Sequence, residues 1–497
     1  MTGRPLSRRR ALALLGLGTA SMTAGTIGWV TDFGAPIGGG RLRPASGEAL
    51  RQPKVLASRN GLLDVQLIAG AGVRLAGWDT SAWGFNGTSP GPTLRVRPGD
   101  LIRLRLTNRI GQPTNLHTHG LHVSPQGNSD NPFITVDPGG SFNYAITVPS
   151  DHPAGTFWYH PHHHGTVADQ IFAGLAGALL IDSGADPEIP VSDDLVLLVT
   201  DTTLDAAGRV VASDPMTRMM GRQGDLVLVN GQHQPVIAAA PAAMQRWRVI
   251  NGCVSRVLAL RLDGHGLTQV AIDGAFLPAP VERDQVVLAP GNRVDLLVRP
   301  VGGGRYALVA DPYDPGGMGM LGMMGGSDTN IGPVLVATLA VTGPAAAPAN
   351  LPTTLPAPPA PPDTVARRRR ITFAMGMGGM GGGVMGMGAM AFTIDGRTFD
   401  PERDDQTVQL GTVEDWTVLN TGPMDHPFHL HAWPFQVRGN SRGTTPSARR
   451  QDVVLVPAGG WVRLRIPFTD YAGRSVYHCH ILDHEDLGMM ATVDVQG

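Results

Sequence analysis

Apolar and charged residues alternate with period two in several short runs of this chain. Leu94-Arg95-Val96-Arg97 and Ile102-Arg103-Leu104-Arg105-Leu106 come first, and Val462-Arg463-Leu464-Arg465-Ile466 repeats the device near the carboxyl end. Successive side chains of an extended strand point to opposite faces, so this alternation predicts strands with one buried and one solvated face. Glycine (66) and proline (41) punctuate the chain densely, which favours many short strands joined by turns over a helical bundle.

Three of these strands close on asparagine. One follows Pro98-Gly99-Asp100 and ends at Asn108; Met244-Gln245-Arg246-Trp247-Arg248-Val249-Ile250 ends at Asn251; Glu414-Asp415-Trp416-Thr417-Val418-Leu419 ends at Asn420. A second echo joins the first and last thirds. Ala154-Gly155-Thr156-Phe157-Trp158-Tyr159-His160-Pro161-His162 resembles Ala472-Gly473-Arg474-Ser475-Val476-Tyr477-His478-Cys479-His480. Copies this far apart are not solenoid repeats and point to three tandem β-sandwiches, an all-β chain.

A length of 497 residues exceeds what one core supports, which agrees with several domains. Composition divides the chain into a signal and lead segment (1–50), a first domain (51–185), a second (186–345), an Ala/Pro-rich linker (346–366) and a third domain (367–497). Arg367 to Arg370, a basic run, reads as a solvated strand entry or linker end. The net charge of -2 gives no electrostatic reason to expect nucleic acid as a partner. Only Cys253 and Cys479 occur, so no disulfide framework is implied. Cys253 reads as a small buried hydrophobe, and Cys479, flanked by histidines, as a soft ligand.

The amino terminus reads as an export signal. Ser7-Arg8-Arg9-Arg10 precedes the apolar Ala11-Leu12-Ala13-Leu14-Leu15-Gly16-Leu17, which looks like a twin-arginine signal read by the corresponding export machinery. An ordinary secretory signal or an uncleaved anchor is the alternative. Nothing later in the sequence is long and apolar enough to span a bilayer. The expected location is periplasm, cell envelope or outside the cell.

The histidines carry the chemistry. They cluster as His117-Thr118-His119, His160-Pro161-His162, His426-Pro427-Phe428-His429-Leu430-His431 and His478-Cys479-His480, with His484 and Met489 downstream. Residues i and i+2 of a strand share a face, so each His-x-His pair can aim two imidazoles at one point. Four pairs supply donors for three copper ions between two domains, with positions left open for dioxygen (O2). His426, Cys479 and His484, with Met489 as a weak axial thioether, suit a blue-copper electron-transfer site. Zinc uses similar donors, but this set far exceeds a tetrahedral shell.

In residue type, order and spacing these motifs resemble those of the multicopper oxidases, the family that includes laccases, over residues from about 60 to 497. The resemblance implies three cupredoxin-like Greek-key sandwiches and four copper ions. His117 and His429 would hold the type 2 ion, and His119, His160, His162, His431, His478 and His480 the type 3 pair. His426, Cys479, His484 and Met489 would hold the type 1 ion. It further implies one-electron oxidation of a reductant coupled to four-electron reduction of dioxygen. Protons for that reaction are expected from Glu485, beside His484, and from Asp130, shortly after the first histidine motif. Asp425 reads equally as a substrate-facing or a plain loop acid. His164 would be a bystander, and His122, His152, His233 and His265, in no ligand spacing, read as structural.

Ten of the nineteen methionines lie in two segments, Met318, Met320, Met323 and Met324, then Met375, Met377, Met380, Met385, Met387 and Met390. Interspersed glycine cannot pack as a core helix, and thioethers prefer Cu(I). These segments resemble the copper-gathering arms of bacterial copper-efflux oxidases; a low-complexity loop whose methionines cover a hydrophobic surface is the alternative. The expected reductant is Cu(I), with Fe(II) or phenols as further substrates, and the expected benefit is copper tolerance. A non-catalytic scaffold of the cell-division type, a copper store and a two-domain nitrite reductase compete less well, because the full donor set is present.

Overall fold

The strand Leu101–Asn108 has Ile102, Leu104 and Leu106 buried and Arg103 and Arg105 exposed, as the alternation requires. The strand Trp461–Phe468 departs from it at Arg465, which is buried. Its guanidinium takes Asp415 (2.9 and 3.1 Å) and Asp363 (2.7 Å), and these ion pairs offset the cost of burial. The computed structural model describes residues 46–183, 189–316, 332–347, 349–377, 390–443 and 450–497. The export signal, and Met318, Met320, Met323, Met324, Met380, Met385 and Met387, lie outside the described residues.

The strands form three tandem β-sandwiches. In the first, a five-stranded sheet (Val55–Ala57, Thr93–Val96, Gly177–Ile181, Gly155–His160, His117–His119) faces a four-stranded one containing Leu62–Ala71 and Leu101–Asn108. Among the described residues the middle sandwich joins seven strands to five, and the last joins six to five. Each encloses its own apolar core, around Phe85 and Tyr159, around Trp247, and around Trp416, Trp433 and Phe428.

The strands that close on asparagine play one role three times. Each pairs in parallel with an earlier strand, bringing Asn108 opposite Ala69, Asn251 opposite Val199 and Asn420 opposite Phe373. Each asparagine is buried and knits the loop behind it. Asn420 donates to Met424 O (2.7 Å) and Val456 O (3.1 Å) and accepts from Gly422 N (2.8 Å). Asn108 bonds Gln112 O, Val136 O and Ile110 N in the same pattern, and Asn251 bonds Arg256 O, Leu288 O and Cys253 N. A short amide side chain with donors and an acceptor satisfies three main-chain groups that have left the ladder.

Described residues of the lead and linker segments pack against the sandwiches. Ala49, at the end of the lead segment, bridges Val236, and Leu355 of the Ala/Pro-rich stretch packs with Met244, Val270 and Phe276. Arg367 to Arg370 enter a strand alongside Glu414 to Thr417, with Arg369 paired to Glu414. One further apolar cluster takes Trp158, Ile171 and Phe172 from the first sandwich, Val196, Leu198 and Ile250 from the middle one and Leu482 from the last. At roughly 1.5–3 kcal/mol per large buried side chain, this seam joins the first and middle sandwiches, and Leu482 ties the last one to them. Among the described residues no helix is long and apolar enough to cross a membrane.

Candidate metal centre

Backbone pairing assembles the histidines in two halves. In the first sandwich His117 stands opposite His160 on adjacent strands, and in the third His429 stands opposite His478. The seam between the sandwiches then brings the halves together. His162 Nε2 and His431 Nε2 lie 3.1 and 3.2 Å from His478 Nε2, His119 Nδ1 lies 3.3 Å from His160 Nε2, and His429 Nε2 lies 3.5 Å from His117 Nε2. His480 joins the group, its ring centre 5.0 Å from that of His119. All of these rings are buried.

Burial, reinforced by the neighbouring imidazoles, holds His117, His119, His429, His431 and His480 well below the ordinary histidine range. Burial likewise lowers His160 to about 3 and His162 to about 4. Neutral imidazoles present lone pairs, and several nitrogens here face each other with no proton to share. The donor atoms of His117, His429 and His431 lie within 4.8 Å of one another, as do those of His117, His119 and His160, and those of His162, His431 and His478. Both nitrogens of His480 lack a hydrogen-bond partner. Buried, mutually facing, unpaired nitrogens fit copper ions.

Carboxylates surround the cluster. Asp130 lies 3.0 Å from His117 Nδ1 and accepts from Thr118 N (2.8 Å); burial raises its carboxyl to about 7, with the Thr118 bond opposing. Glu485 lies 3.0 Å from His478 Nδ1 and 3.4 Å from His162 Nε2. Burial alone would raise Glu485, but these two imidazoles outweigh it and hold the group well below the usual range. A third acid, Asp452, lies 3.0 Å from His119 Nε2 and accepts through its main-chain oxygen from His429 Nδ1 (2.8 Å).

The second site occupies the core of the third sandwich. Along the strand His426–Leu430, His426 shares a face with Phe428, and His429 occupies the opposite face. Cys479 likewise points away from His478 and His480, into the apolar core. His426 Nδ1 lies 3.3 Å and His484 Nδ1 3.9 Å from Cys479 Sγ, and Ile481 N lies 3.4 Å from the sulfur. Met489 is buried in the same core, and Cys479 N donates to its carbonyl (3.0 Å). Burial pushes the Cys479 thiol far up, so its thiolate needs a cation beside it, which a soft copper ion provides.

The helix Leu482–Asp486 serves both sites. His484 turns to Cys479, and Glu485 turns to the cluster. Arg222 from the middle sandwich pairs with Asp483 (2.5 and 3.0 Å), and Asp486 accepts from the main-chain nitrogens of Gly165, Val167 and Ala168.

Other groups stay apart. His122 bonds Ala432 O and Asp470, His152 bonds Pro153 O, His233 bonds Ser46, and His265 bonds Asp263 O. His164 packs on Phe399, and Cys253 lies in the middle core. Asp425 is buried and takes Tyr313, Arg442 and Ala458 N. Asp452, Arg222 and Asp483 stand in no ligand spacing, so only the tertiary structure reveals their contacts with the donors.

Three family models described as multicopper oxidase match residues 70–186, 193–322 and 371–497. The chain is 28% identical over 424 residues to a multicopper oxidase, mco, of Staphylococcus haemolyticus, covering 83% of each. It is 30% identical over 381 residues to the cell division protein FtsP of Escherichia coli, covering 74% of this chain and 75% of that one. A solved multicopper oxidase from Campylobacter jejuni, described as a metallo-oxidase, superposes with a TM-score of 0.81 at 29% identity, covering 93% of this chain and 99% of that one. The three sandwiches, the two donor sets and these likenesses agree: the chain belongs to the multicopper oxidase family.

Proposed function

We propose that the protein is an exported oxidase that takes single electrons from Cu(I), and also from Fe(II) or phenols, and passes them to dioxygen. The observation that carries this reading is the completeness of both donor sets. His426, Cys479, His484 and Met489 would hold one type 1 copper. His117 and His429 would hold the type 2 ion, and His119, His160, His162, His431, His478 and His480 the type 3 pair. Bound copper would supply the one-electron oxidation of the reductant and the four-electron reduction of dioxygen to two waters.

The chain's own part is connection and protons. Cys479 is bonded through the main chain to His478 and His480, so three consecutive residues span both sites. Asp130, raised to about 7 beside His117 Nδ1, can give a proton near neutral pH. Glu485, against His478 Nδ1 and His162 Nε2, offers a proton acceptor beside a different pair of histidines. Both are proposed as the proton-handling groups.

Cu(I) as the favoured reductant rests on the methionines. Met375 packs against the third core, and its sulfur and His426 Nε2 both border Gly422, where an added Cβ would meet them at 3.6 and 3.4 Å. The glycine-methionine segment therefore begins beside a type 1 donor. Oxidation of Cu(I) outside the cytoplasm would confer copper tolerance, and the twin-arginine-like amino terminus would deliver the chain there. The cell-division role belongs to the relative that bears that name; an intact donor set favours catalysis here.

The test measures oxidation of Cu(I), Fe(II) and a bulky phenol under air by copper-loaded protein, before and after replacing residues 378–389 with a short Gly-Ser linker. We expect Cu(I) oxidation to fall several-fold more than phenol oxidation. Equal losses would remove the Cu(I) assignment. A loaded preparation without the intense blue thiolate band would overturn the oxidase reading itself.

A further inference from the structure

The middle sandwich supplies none of the proposed copper donors, yet its turn Gly291–Arg293 lies directly against them. Arg293 is fully buried, with Nη1 2.6 Å from Asp452 Oδ1 and Nη2 2.7 Å from Oδ2, a bidentate pair. Its Nε donates to Thr156 O (3.2 Å), and its main-chain nitrogen donates to Asp273 (3.0 Å), which also binds Asn292. The guanidinium is thus anchored in the first and middle sandwiches and reaches an acid of the third.

Asp452 in turn touches two cluster histidines with two different oxygens. Its carboxylate lies at His119 Nε2, and its main-chain oxygen at His429 Nδ1. The remaining nitrogens, His119 Nδ1 and His429 Nε2, are the ones that face the other imidazoles, His160 and His117. A hydrogen bond accepted on one ring nitrogen keeps the proton there and leaves the lone pair on the other. Two glycines make the approach possible. A Cβ on Gly291, whose φ is +88°, would lie 3.0 Å from His119 Cε1 and from His480 Nε2. A Cβ on Gly120, with φ of +87°, would run into the Arg293 guanidinium and lie 2.8 Å from Asp452 Oδ2.

We propose that Arg293 is a positioning residue for the copper cluster: by clamping Asp452 it fixes the tautomer and orientation of His119 and His429. The middle sandwich thereby sets the geometry of a centre to which it gives no donor. This rests on the reading that the clustered histidines hold copper.

The test uses the full chain, reconstituted with copper, as wild type, Arg293→Lys, Arg293→Met and, as a control, Arg246→Lys. Arg246 pairs with Asp295 in the same sandwich, and its hydrogen bonds reach neither a proposed donor nor Asp452. Copper per chain, the blue band and the type 2 electron paramagnetic resonance signal are read alongside the melting temperature of each copper-free variant. We expect affinity for cluster copper to fall about 10–100-fold in Arg293→Met, the range seen when outer-shell partners are lost. Arg293→Lys should fall less and show altered type 2 hyperfine splitting. The blue band should persist in both, and Arg246→Lys should keep all its copper at a comparable loss of melting temperature. If cluster copper and blue band fall together in step with melting temperature, or if the Arg293 variants keep a wild-type cluster signal, the proposal is overturned. Wild type that takes up no cluster copper would instead refute the oxidase reading. If Arg293→Met does not fold, Arg293→Lys against Arg246→Lys decides the question.

Discussion

His484 Nε2 lies 3.0 Å from the main-chain oxygen of Met219, so the outer edge of this histidine is covered by the middle sandwich. Its ring also stacks on Phe392, with centroids 4.4 Å apart. Met219 lies on the short helix Pro215–Met220, capped by Asp214, and the chain continues directly to Arg222. One segment of the middle sandwich therefore both shields His484 and grips the helix that carries it.

That grip can be measured. Arg222→Met leaves the buried carboxylate of Asp483 only the main-chain nitrogen of residue 222 (3.0 Å) and the more distant Arg218 (3.8 Å), which should cost up to about 3–5 kcal/mol of stability in denaturant unfolding. Arg222→Met with Asp483→Leu removes both charges and should recover part of the loss. A double variant no more stable than the single would show that the pair does not matter as an ion pair.

Met489→Leu should keep the blue band and raise the reduction potential of the proposed type 1 site, because a weak thioether donor is lost while the apolar volume is kept. A redox titration followed in the visible band checks this. An unchanged potential would place Met489 outside the site's electronic reach.

Asp130 should set a pH limb. Its carboxyl is raised by burial to about 7, so it carries its proton below that value and loses it above. Reoxidation of reduced enzyme by dioxygen should slow as pH rises through about 7. Asp130→Ala should be slow throughout with an intact blue band, and stopped-flow reoxidation across pH would expose a variant that behaves as wild type.

The copper-free protein should be sensitive to acid. Burial lowers His160 and His426 to about 3 and His162 to about 4, against 6.5 for an unfolded histidine. The unfolded chain takes up these protons first, so stability is held above about pH 6.5 and declines as pH falls from there toward 3. Melting temperatures of copper-free protein between pH 7.5 and 4.5 should therefore drop steadily. A flat profile would mean that these rings are solvated without metal.

Much of this architecture was legible from spacing alone. Period-two alternation marked Leu101–Asn108 as a half-buried strand, and the strand-closing asparagines correctly announced a thrice-repeated unit, because each does the same hydrogen-bonding work. Arg465 escaped the alternation, since its partners Asp415 and Asp363 lie 50 and 102 residues away in sequence. Asp452 and Arg293 escaped for the same reason: a bidentate pair between different sandwiches leaves no periodic trace.

The order of residues by itself determined the division of labour at the carboxyl end. Even spacing puts His478 and His480 on one face of a strand with Cys479 on the other, and odd spacing turns His426 away from His429 and His431. Local backbone geometry enforces that outcome, and it needs no distant partner. Tertiary structure alone decided that the first and third sandwiches meet at their histidines, that the middle one clamps them through Arg293 and Arg222, and that Asp130, Glu485 and Asp452 lose contact with water. Burial and long-range ion pairs arise only when separate cores pack together, so no local stretch of sequence encodes them.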